Sequence, residues 1–193
     1  MLAYVFWHRP HDGAAAAEYE ARLRAFHEAL AGAPPPGFHQ SFTYRVSGAP
    51  WIPGGGPAYE DWYLLRDAAA LDPLNQAAVS GSRHRPHDAV AARSQWGAAG
   101  LYLLRQGAPA FAGVGRALWL SKPAGQSYET FYAGVRGQHA ESGAWALWGR
   151  QMVLGPTPEF CLHQAGRLSS TPPGGTVVGL EAIWAGSTNQ TGK

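Results

Sequence analysis

Apolar and polar positions near the start of the chain follow two periods, one typical of strands and one typical of a helix. Ala3 to Trp7 is an apolar run of strand length. From Phe38 to Val46 apolar and polar residues alternate, which predicts a strand with one apolar and one polar face. Between these two segments apolar residues recur every three or four positions and form one stripe along a predicted helix, at Tyr19, Leu23, Phe26 and Leu30.

The segment that follows the second predicted strand is rich in proline and glycine. We expect Ser47 to Ala58 to be a long hairpin connection, with Trp51 folded back as a lid or plug. The next predicted elements are a strand at Tyr59 to Arg66, a short helix capped by Asp67, a helix over Ala89 to Trp96 capped by Asp88, and a strand at Leu101 to Arg105. This order of strand, helix, strand, strand, helix and strand is the ferredoxin-like pattern.

The second half of the chain repeats part of this order. The segment YEARLRAFH, which begins at Tyr19, has a weaker echo in FYAGVRGQH, from Phe131 to His139. The predicted elements are strands at Ala117 to Leu120, Ala144 to Leu154, Phe160 to Gln164 and Thr176 to Ala185, with a helix at Ser127 to Ala140. Ala165 to Gly175 is too short and too rich in proline and glycine for a second full helix, so this half is degenerate.

These patterns predict an α+β fold with an internal duplication. We expect a ferredoxin-like unit at residues 1–107, a linker at 108–115, a degenerate ferredoxin-like unit at 116–187 and a flexible tail at 188–193. In each unit helices cover only one face of the sheet. The two tandem units are therefore expected to bury their bare faces against each other, as an intramolecular version of the dimeric α/β barrel.

Composition and charge exclude several classes of function. With 193 residues, of which 46% are hydrophobic, the chain can bury a substantial core. The formal charge of +2 leaves no basic stripe for a phosphate backbone, so we expect no nucleic-acid partner. Cys161 is the single cysteine, which rules out an intramolecular disulfide. The N-terminus does not read as a signal peptide and no apolar run has the length of a membrane span, so we expect a cytoplasmic protein that does not enter the membrane.

Two stretches resemble one family. Leu118 to Gly155 is similar to the EthD-type branch of the dimeric α/β barrel proteins, in which the helix has an aromatic residue eight positions before a histidine, here Phe131 and His139. Phe6 to Val46 looks like a second copy, with Tyr19 and His27 in these positions. The wider superfamily includes cofactor-free monooxygenases, isomerases and haem proteins. The resemblance implies a cavity for a small apolar or aromatic ligand, no cofactor or alternatively haem, and a homodimer unless the fusion makes the chain a monomer.

The histidines are the first candidates for proton transfer, because imidazole can donate or accept a proton near neutral pH. His27 and His139 are the repeated pair, four residues after an apolar helix position, and His39 and His163 lie in predicted strands. The alternative for the repeated pair is a histidine bonded to a backbone carbonyl where the helix leaves the sheet.

Ionisable residues within predicted strands are candidates for ligand binding, because a barrel lumen is lined by alternate strand residues. These residues are Arg45, Asp61, Tyr63, Arg150 and Glu181. Arg150 and Glu181 are expected to form an internal ion pair, and either Arg45 or Arg150 could hold an anionic or carbonyl oxygen. The alternative is that the whole set lies on a solvent-facing edge.

The pentapeptide HRPHD occurs twice, at His8 to Asp12 and at His84 to Asp88. Its histidines and aspartate are residue types that a divalent metal accepts, so His8, His11, His84 and His87 are weak metal candidates. Pro10 and Pro86 lie within the spacing and argue against a regular helix there. The alternative is that each motif is a turn in which the aspartate caps the following helix.

Three functions remain open from the sequence. The leading hypothesis is a small-molecule-binding barrel protein of unknown specificity, with a cofactor-free EthD-like enzyme as its specific form. A haem-binding barrel is the second, and visible absorbance would distinguish it. The third is a non-enzymatic structural or interaction protein whose cavity is filled by its own Trp and Tyr side chains.

Overall fold

The computed structural model describes residues 1–139, 143–152, 155–166 and 171–186. Its strands are β1 (Leu2–Pro10), β2 (Phe38–Ser47), β3 (Ala58–Leu65), β4 (Ser94–Gly107), β5 (Arg116–Leu120), β6 (Trp145–Arg150), β7 (Phe160–Gln164) and β8 (Thr176–Ala185). Its α-helices are α1 (Ala16–Gly32), α2 (Leu71–Ala78), α3 (His84–Ala91) and α4 (Tyr128–His139). None of the helices in these ranges has the length and apolarity to cross a membrane.

All eight strands belong to one closed antiparallel barrel, in the order β1-β3-β2-β8-β5-β7-β6-β4. Two strand pairs join the N-terminal half to the C-terminal half. Arg45 in β2 lies opposite Glu181 in β8, and Tyr102 in β4 lies opposite Arg150 in β6. The α+β class and the barrel expected from the sequence are therefore present, and the halves meet through these hydrogen-bonded strand pairs as well as through their inner faces.

The inside of the barrel is packed with the protein's own aromatic side chains. Trp7, Trp62, Trp119 and Trp148 are all completely buried there. Trp51 folds back from the β2–β3 connection, and its ring centroid lies 5.2 Å from that of Trp119. The sequence-based expectation of a plug at Trp51 is thus met. The ligand cavity expected among the alternate strand residues of the lumen is instead occupied by these rings.

Residues 108–115, expected to be a linker, also contribute to the lumen. Ala110, Phe111 and Val114 are buried in the same cluster as the tryptophans. The Phe111 ring stacks on Phe42 with 4.1 Å between ring centroids. The small residues of this segment allow it to turn into the barrel, and its apolar residues fill space there.

One helix differs from its prediction. The expected helix over Ala89 to Trp96 is wrong in position, because α3 ends at Ala91 and Trp96 lies in β4. The second HRPHD motif forms the start of α3, contrary to the expectation that Pro86 prevents a helix there. Pro86 is the third residue of α3, within the first turn, where a backbone N–H has no partner in the helix and its loss costs little.

The ends of some predicted elements lie outside the described residues, namely Ala140, Leu154, part of Ala165 to Gly175 and the tail from 188 onward. The predicted cap at Asp67 is present, because its carboxylate accepts a hydrogen bond from the Ala69 N–H at 3.0 Å. The predicted polar face of β2 is buried in its centre at Ser41 and Thr43. These two hydroxyls hydrogen-bond to a residue of α1, which covers that face of the strand.

Candidate functional site

A pocket of about 490 Å³ lies between the outer face of β1 and β3 and the helices α1, α2 and α3. This volume is in the range of small-molecule sites, about 300–1,000 Å³. Its walls are mainly apolar, and its lining residues with polar groups are Tyr4, His8, Asp61, Tyr63, Asn75, His87 and Ser94. The remaining lining residues are Phe6, Leu23, Phe26, Leu71, Leu74, Ala78, Val90 and Ala91.

The floor of the pocket is built by the pairing of β1 with β3. Phe6 pairs with Asp61 and His8 with Tyr59, so His8 and Asp61 are diagonal neighbours on the same face of the sheet. The side chains of His8 and Asp61 are only 1% and 3% exposed. A buried imidazole and a buried carboxylate therefore lie next to each other beneath an apolar pocket.

Hydrogen bonds extend from this pair to the pocket wall. His8 Nε2 lies 3.3 Å from Asp61 Oδ2, and His8 Nδ1 lies 2.8 Å from the Tyr19 hydroxyl. The Tyr19 hydroxyl in turn lies 2.8 Å from Ser94 Oγ, which lines the pocket. Burial raises the pKa of Tyr19 to about 12, so this hydroxyl keeps its proton at neutral pH. We call Asp61, His8, Tyr19 and Ser94 the proton relay.

His27 lies behind the floor and does not line the pocket. Its Nδ1 is 2.8 Å from Ser41 Oγ and its Nε2 is 2.6 Å from Thr43 Oγ1. Nε2 is also 3.5 Å from Asp61 Oδ2. Because both ring nitrogens have neighbours in the fold, His27 fixes Asp61 in place and has no nitrogen free for a ligand.

The Asp61 carboxylate is held in its ionised form. Burial by itself raises the pKa of Asp61, but its favourable electrostatic interactions with the His8 and His27 imidazoles outweigh burial and hold the pKa well below its usual range. Tyr63 donates a third contact to Oδ2 at 3.1 Å. Oδ1 is buried and has no hydrogen-bond partner among the described residues. Asp61 thus presents a charged acceptor that a ligand bound in the pocket could satisfy.

The other histidines proposed for proton transfer lie elsewhere. His39 is exposed on β2. His139 ends α4 in the second half, 5.6 Å from the Trp145 ring, and burial lowers its pKa. His163 faces the lumen, 4.7 Å from the Trp62 ring, and burial lowers its pKa to about 3. None of these three residues lines the pocket.

The expected ion pair between Arg150 and Glu181 is wrong. Glu181 pairs with Arg45 at 3.1 Å across the β2–β8 junction, and Arg45 also binds Glu20 of α1. Arg150 donates to the carbonyl oxygens of Gly155 and Thr157, at 3.2 and 2.8 Å. Both arginines therefore have structural roles. Arg45 links β2 to α1 and β8, and Arg150 links β6 to the loop that follows it. Of the five candidates for ligand binding, Asp61 and Tyr63 line the pocket.

The two HRPHD motifs meet at the pocket without forming a metal site in the described part of the chain. His8 is in the floor and His87 lines the opposite wall. His11 is exposed, and His84 forms an ion pair with Asp88 at 2.9 Å. Each motif thus contributes one histidine to the pocket, from non-equivalent elements.

The sequence does not bring His8, Tyr19 and Ser94 together as neighbours of one site. His8 is a candidate there only as a metal ligand, and Tyr19 is the aromatic residue of the helix stripe and of the family motif. Ser94 lies within a segment predicted to be helical. The available signal was the alternation in β1, where His8 follows Tyr4 and Phe6 on one face.

A second buried carboxylate lies in the lumen. Glu60 accepts a hydrogen bond from the Trp7 indole and another from the Trp62 indole, both at 2.6 Å. Burial raises the pKa of Glu60 to about 7, although the two indole donors oppose that rise. Burial also raises the pKa of Cys161 well above its ordinary value.

Comparisons with known proteins show the fold. No family model and no curated protein matches the chain. A solved protein of Lactobacillus acidophilus, provisionally assigned as a monooxygenase, matches with a TM-score of 0.62 at 8% identity, over 95% of this chain and 94% of that one.

Two other solved structures match less well. A provisional chlorite dismutase has a TM-score of 0.48 at 10% identity, over 95% of this chain and 96% of that one. SnoaB, a cofactor-independent oxygenase of Streptomyces nogalater, has a TM-score of 0.42 at 21% identity, over 56% of this chain and 97% of that one. The chain shares its fold with the Lactobacillus acidophilus protein, and this likeness shows the fold alone.

Proposed function

We propose that this chain is a cofactor-free enzyme of the EthD-like kind, which binds a small apolar or aromatic molecule in the pocket and removes a proton from it. The observation that carries the proposal is the proton relay, in which a buried carboxylate lies 3.3 Å from the His8 imidazole and hydrogen bonds lead from His8 through Tyr19 to a hydroxyl in the wall of an apolar pocket. Such an arrangement of a base, a group that orients it and an apolar site is typical of general-base catalysis.

The proton moves along the relay by successive exchange. Ser94 Oγ takes the proton of the ligand while its own proton passes to the Tyr19 oxygen, and Tyr19 gives its proton to His8 Nδ1. In the resting state the serine hydroxyl can donate to the Val90 carbonyl, 3.2 Å away. After transfer the ligand is an anion and His8 is an imidazolium. Asp61 stabilises that cation from the Nε2 side, because its carboxylate stays ionised.

The walls of the pocket select the kind of ligand. Phe6, Phe26, Leu23 and Leu74 present apolar surface, and the burial of an aromatic body against them favours binding. The unpaired Oδ1 of Asp61 requires a hydrogen-bond donor. A phenol or an enol supplies both an apolar body and a hydroxyl, and after proton transfer the His8 imidazolium offsets the repulsion between the ligand anion and Asp61.

The two-unit organisation belongs to the same proposal. The strand order is β4-β1-β3-β2 in the first half and β6-β7-β5-β8 in the second, which supports two ferredoxin-like units related by duplication. The pocket uses α2 and α3, which follow β3 in the first half, and the sequence predicts no full helix after β7. We therefore place the single site in residues 1–107 and leave residues 116–187 the role of completing the barrel.

Haem is the weaker alternative. The pocket lining contains no lysine or arginine to pair with propionate groups, and the buried carboxylate of Asp61 would repel them. Both nitrogens of His8 have neighbours in the relay, which leaves the partly exposed His87 as the pocket histidine with an available nitrogen, and that histidine supplies no partner for the propionate groups. The residues present therefore do not fit haem, and the absence of a Soret band after haem addition would agree with this conclusion.

The non-enzymatic alternative has one observation in its favour. The lumen is filled by the chain's own aromatic residues, as that hypothesis requires. The pocket on the outer face of β1 and β3 is separate from these rings, so a filled lumen does not remove the binding site.

The proposed function predicts that the pocket changes the acidity of a bound phenol. We would titrate β-naphthol, whose neutral and anionic forms absorb at different wavelengths, in the presence of saturating protein. We expect the apparent pKa of the bound probe to fall by about one unit, equivalent to about 1.4 kcal/mol, because the proton moves to His8 beside Asp61. The His8→Gln and Ser94→Ala variants should bind the probe and lose this shift.

The control is His139→Gln, which changes a histidine that does not line the pocket and should leave the shift intact. If β-naphthol binds to the wild-type protein with an unchanged pKa, the result contradicts proton transfer along the relay. The pocket would then bind the ligand without removing its proton. No binding at all would contradict the ligand site and favour the non-enzymatic alternative.

A further inference from the structure

The mouth of the pocket carries a second histidine that an aspartate holds in place. His87 Nδ1 lies 3.1 Å from Asp88 Oδ1, and the His87 ring packs edge-on against Phe26 with 5.7 Å between ring centroids. The His87 side chain is 34% exposed, compared with 3% for Asp61. His87 therefore lies where the pocket opens to solvent, and Asp61 lies at the closed end.

The contact with Asp88 decides which nitrogen of His87 is available. A carboxylate accepts a hydrogen bond, so Nδ1 carries the proton and Nε2 keeps its lone pair. No described residue forms a hydrogen bond with Nε2. His84, which binds Asp88 from the other side, is 56% exposed and does not line the pocket. An acceptor with a fixed tautomer is thus present at the mouth.

Apolar side chains form most of the wall around these two polar groups. Leu23, Phe26 and Val90 line the pocket, and an apolar wall offers no hydrogen bond to a ligand that spans it. Resting on the proposed function, we infer that the ligand carries a hydrogen-bond donor at each end of an apolar body, one bound to Asp61 Oδ1 and the other to His87 Nε2. A flat aromatic compound with hydroxyl groups at opposite ends has this chemistry.

The test compares aromatic alcohols that have one or two hydroxyl groups. The probes are β-naphthol with naphthalene-2,6-diol, and para-phenylphenol with para,para′-biphenol, titrated against the full chain by calorimetry. A symmetric diol gains about twofold from statistics alone. We expect at least one diol to bind about tenfold more tightly than its partner, because the second hydroxyl bonds to His87.

Variants separate the inference from the proposed function. In His87→Leu the ratio of diol affinity to single-hydroxyl affinity should fall to about twofold, because the second hydroxyl loses its acceptor. His87→Gln should keep part of the preference, since its amide oxygen can accept a hydrogen bond. The matched control is His84→Leu, which changes the other histidine bound to Asp88 and should keep the full preference.

Each outcome decides one of the two claims. Equal affinities for diol and single-hydroxyl probes in the wild-type chain would overturn the two-ended ligand and leave the proposed function standing. A preference that survives in His87→Leu would also overturn it, by placing the second contact elsewhere. If no probe binds, the proposed function fails and the inference fails with it.

Asp88 acts through His87 and is a positioning residue. Its effect is readable from the nitrogen chemical shifts of the His87 ring, which distinguish the two neutral tautomers. We expect a proton on Nδ1 in the wild-type chain and a mixture of tautomers in Asp88→Leu, with a reduced diol preference. An unchanged tautomer in that variant would contradict the role of Asp88.

Discussion

At the scale of single residues, two neighbouring carboxylates differ because successive strand residues face opposite sides of a sheet. Asp61 faces the pocket, where His8 and His27 keep it ionised. Glu60 faces the lumen, where its partners are the neutral indoles of Trp7 and Trp62. The interactions with His8 and His27 outweigh burial at Asp61, whereas the two indole donors only partly offset burial at Glu60.

The raised pKa of Glu60 predicts that stability falls as pH rises. In the folded chain Glu60 holds its proton up to about pH 7, whereas a free glutamate has a value of 4.5. Between these values the folded state binds more protons than the unfolded state, so the free energy of unfolding decreases with rising pH. Between pH 5 and pH 8 we expect the free energy of unfolding of the wild-type chain to fall by about 2 to 3 kcal/mol more than that of Glu60→Gln.

Denaturant unfolding of both proteins across this pH range measures the difference. The control is Glu129→Gln, which changes a glutamate on the exposed face of α4. Its free energy of unfolding should depend on pH in the same way as that of the wild-type chain. A constant difference between wild type and Glu60→Gln would show that Glu60 is ionised throughout and would contradict this account of its burial.

The sequence identifies Asp61 and Tyr63 as functional candidates because ionisable residues within apolar strands are costly to bury without partners, and His27 because its position in the helix repeats at His139. It places Asp61 and Tyr63 in the lumen, whereas they line the pocket beneath the helices. Alternation along β3 separates its two faces but does not tell which one turns inward when the barrel closes. His39 and Arg45 fit the same pattern as Asp61 in the sequence, but His39 is exposed and Arg45 binds Glu20 and Glu181.

At the scale of elements, the segment 108–115 shows how composition can mislead. Its glycines and alanines are typical of a linker, and nothing in the local sequence indicates that Phe111 enters the barrel. In the structure Phe111 contacts Trp62 and His163 as well as Phe42, with ring centroids 5.5, 4.9 and 4.1 Å apart. The segment is therefore part of the core, and its role depends on partners that are distant in sequence.

Truncation of this side chain should be costly. We expect Phe111→Ala to lower the free energy of unfolding by about 3 to 5 kcal/mol, because a buried ring is removed and its neighbours cannot fully close the space. Ala112→Ser, an exposed position in the same segment, should change stability by less than about 0.5 kcal/mol. A loss below about 1 kcal/mol for Phe111→Ala would mean that the segment is only a linker.

The strands were easier to predict than the helices around the pocket. The apolar run from Ala3 to Trp7 and the alternation of β2 are strong local patterns, and both elements appear close to their expected positions. The helix expected at Ala89 to Trp96 shares its sequence with the end of α3 and the start of β4. The residues of this segment are compatible with a helix or a strand when they are considered locally. The pairing of Trp96 with Arg9 of β1 stabilises the strand.

At the scale of the whole molecule, closure of the barrel separates a filled interior from an open exterior pocket. Pairing of β2 with β8 and of β4 with β6 completes the barrel and encloses the tryptophans. The pocket lies on the other side of β1 and β3, beneath helices that the sequence supplies only in the first half. Resemblance and periodicity therefore predicted the barrel, but the location of the site depends on which face the helices leave accessible.

The most direct test of this account is a crystal structure of the chain with β-naphthol bound. The account predicts electron density for the probe between α1, α2, α3 and the outer face of β1 and β3, with its hydroxyl within hydrogen-bond distance of Asp61 Oδ1 or Ser94 Oγ. Density for the probe in the lumen, in place of Phe111 or Trp51, or an empty pocket at saturating probe would contradict it.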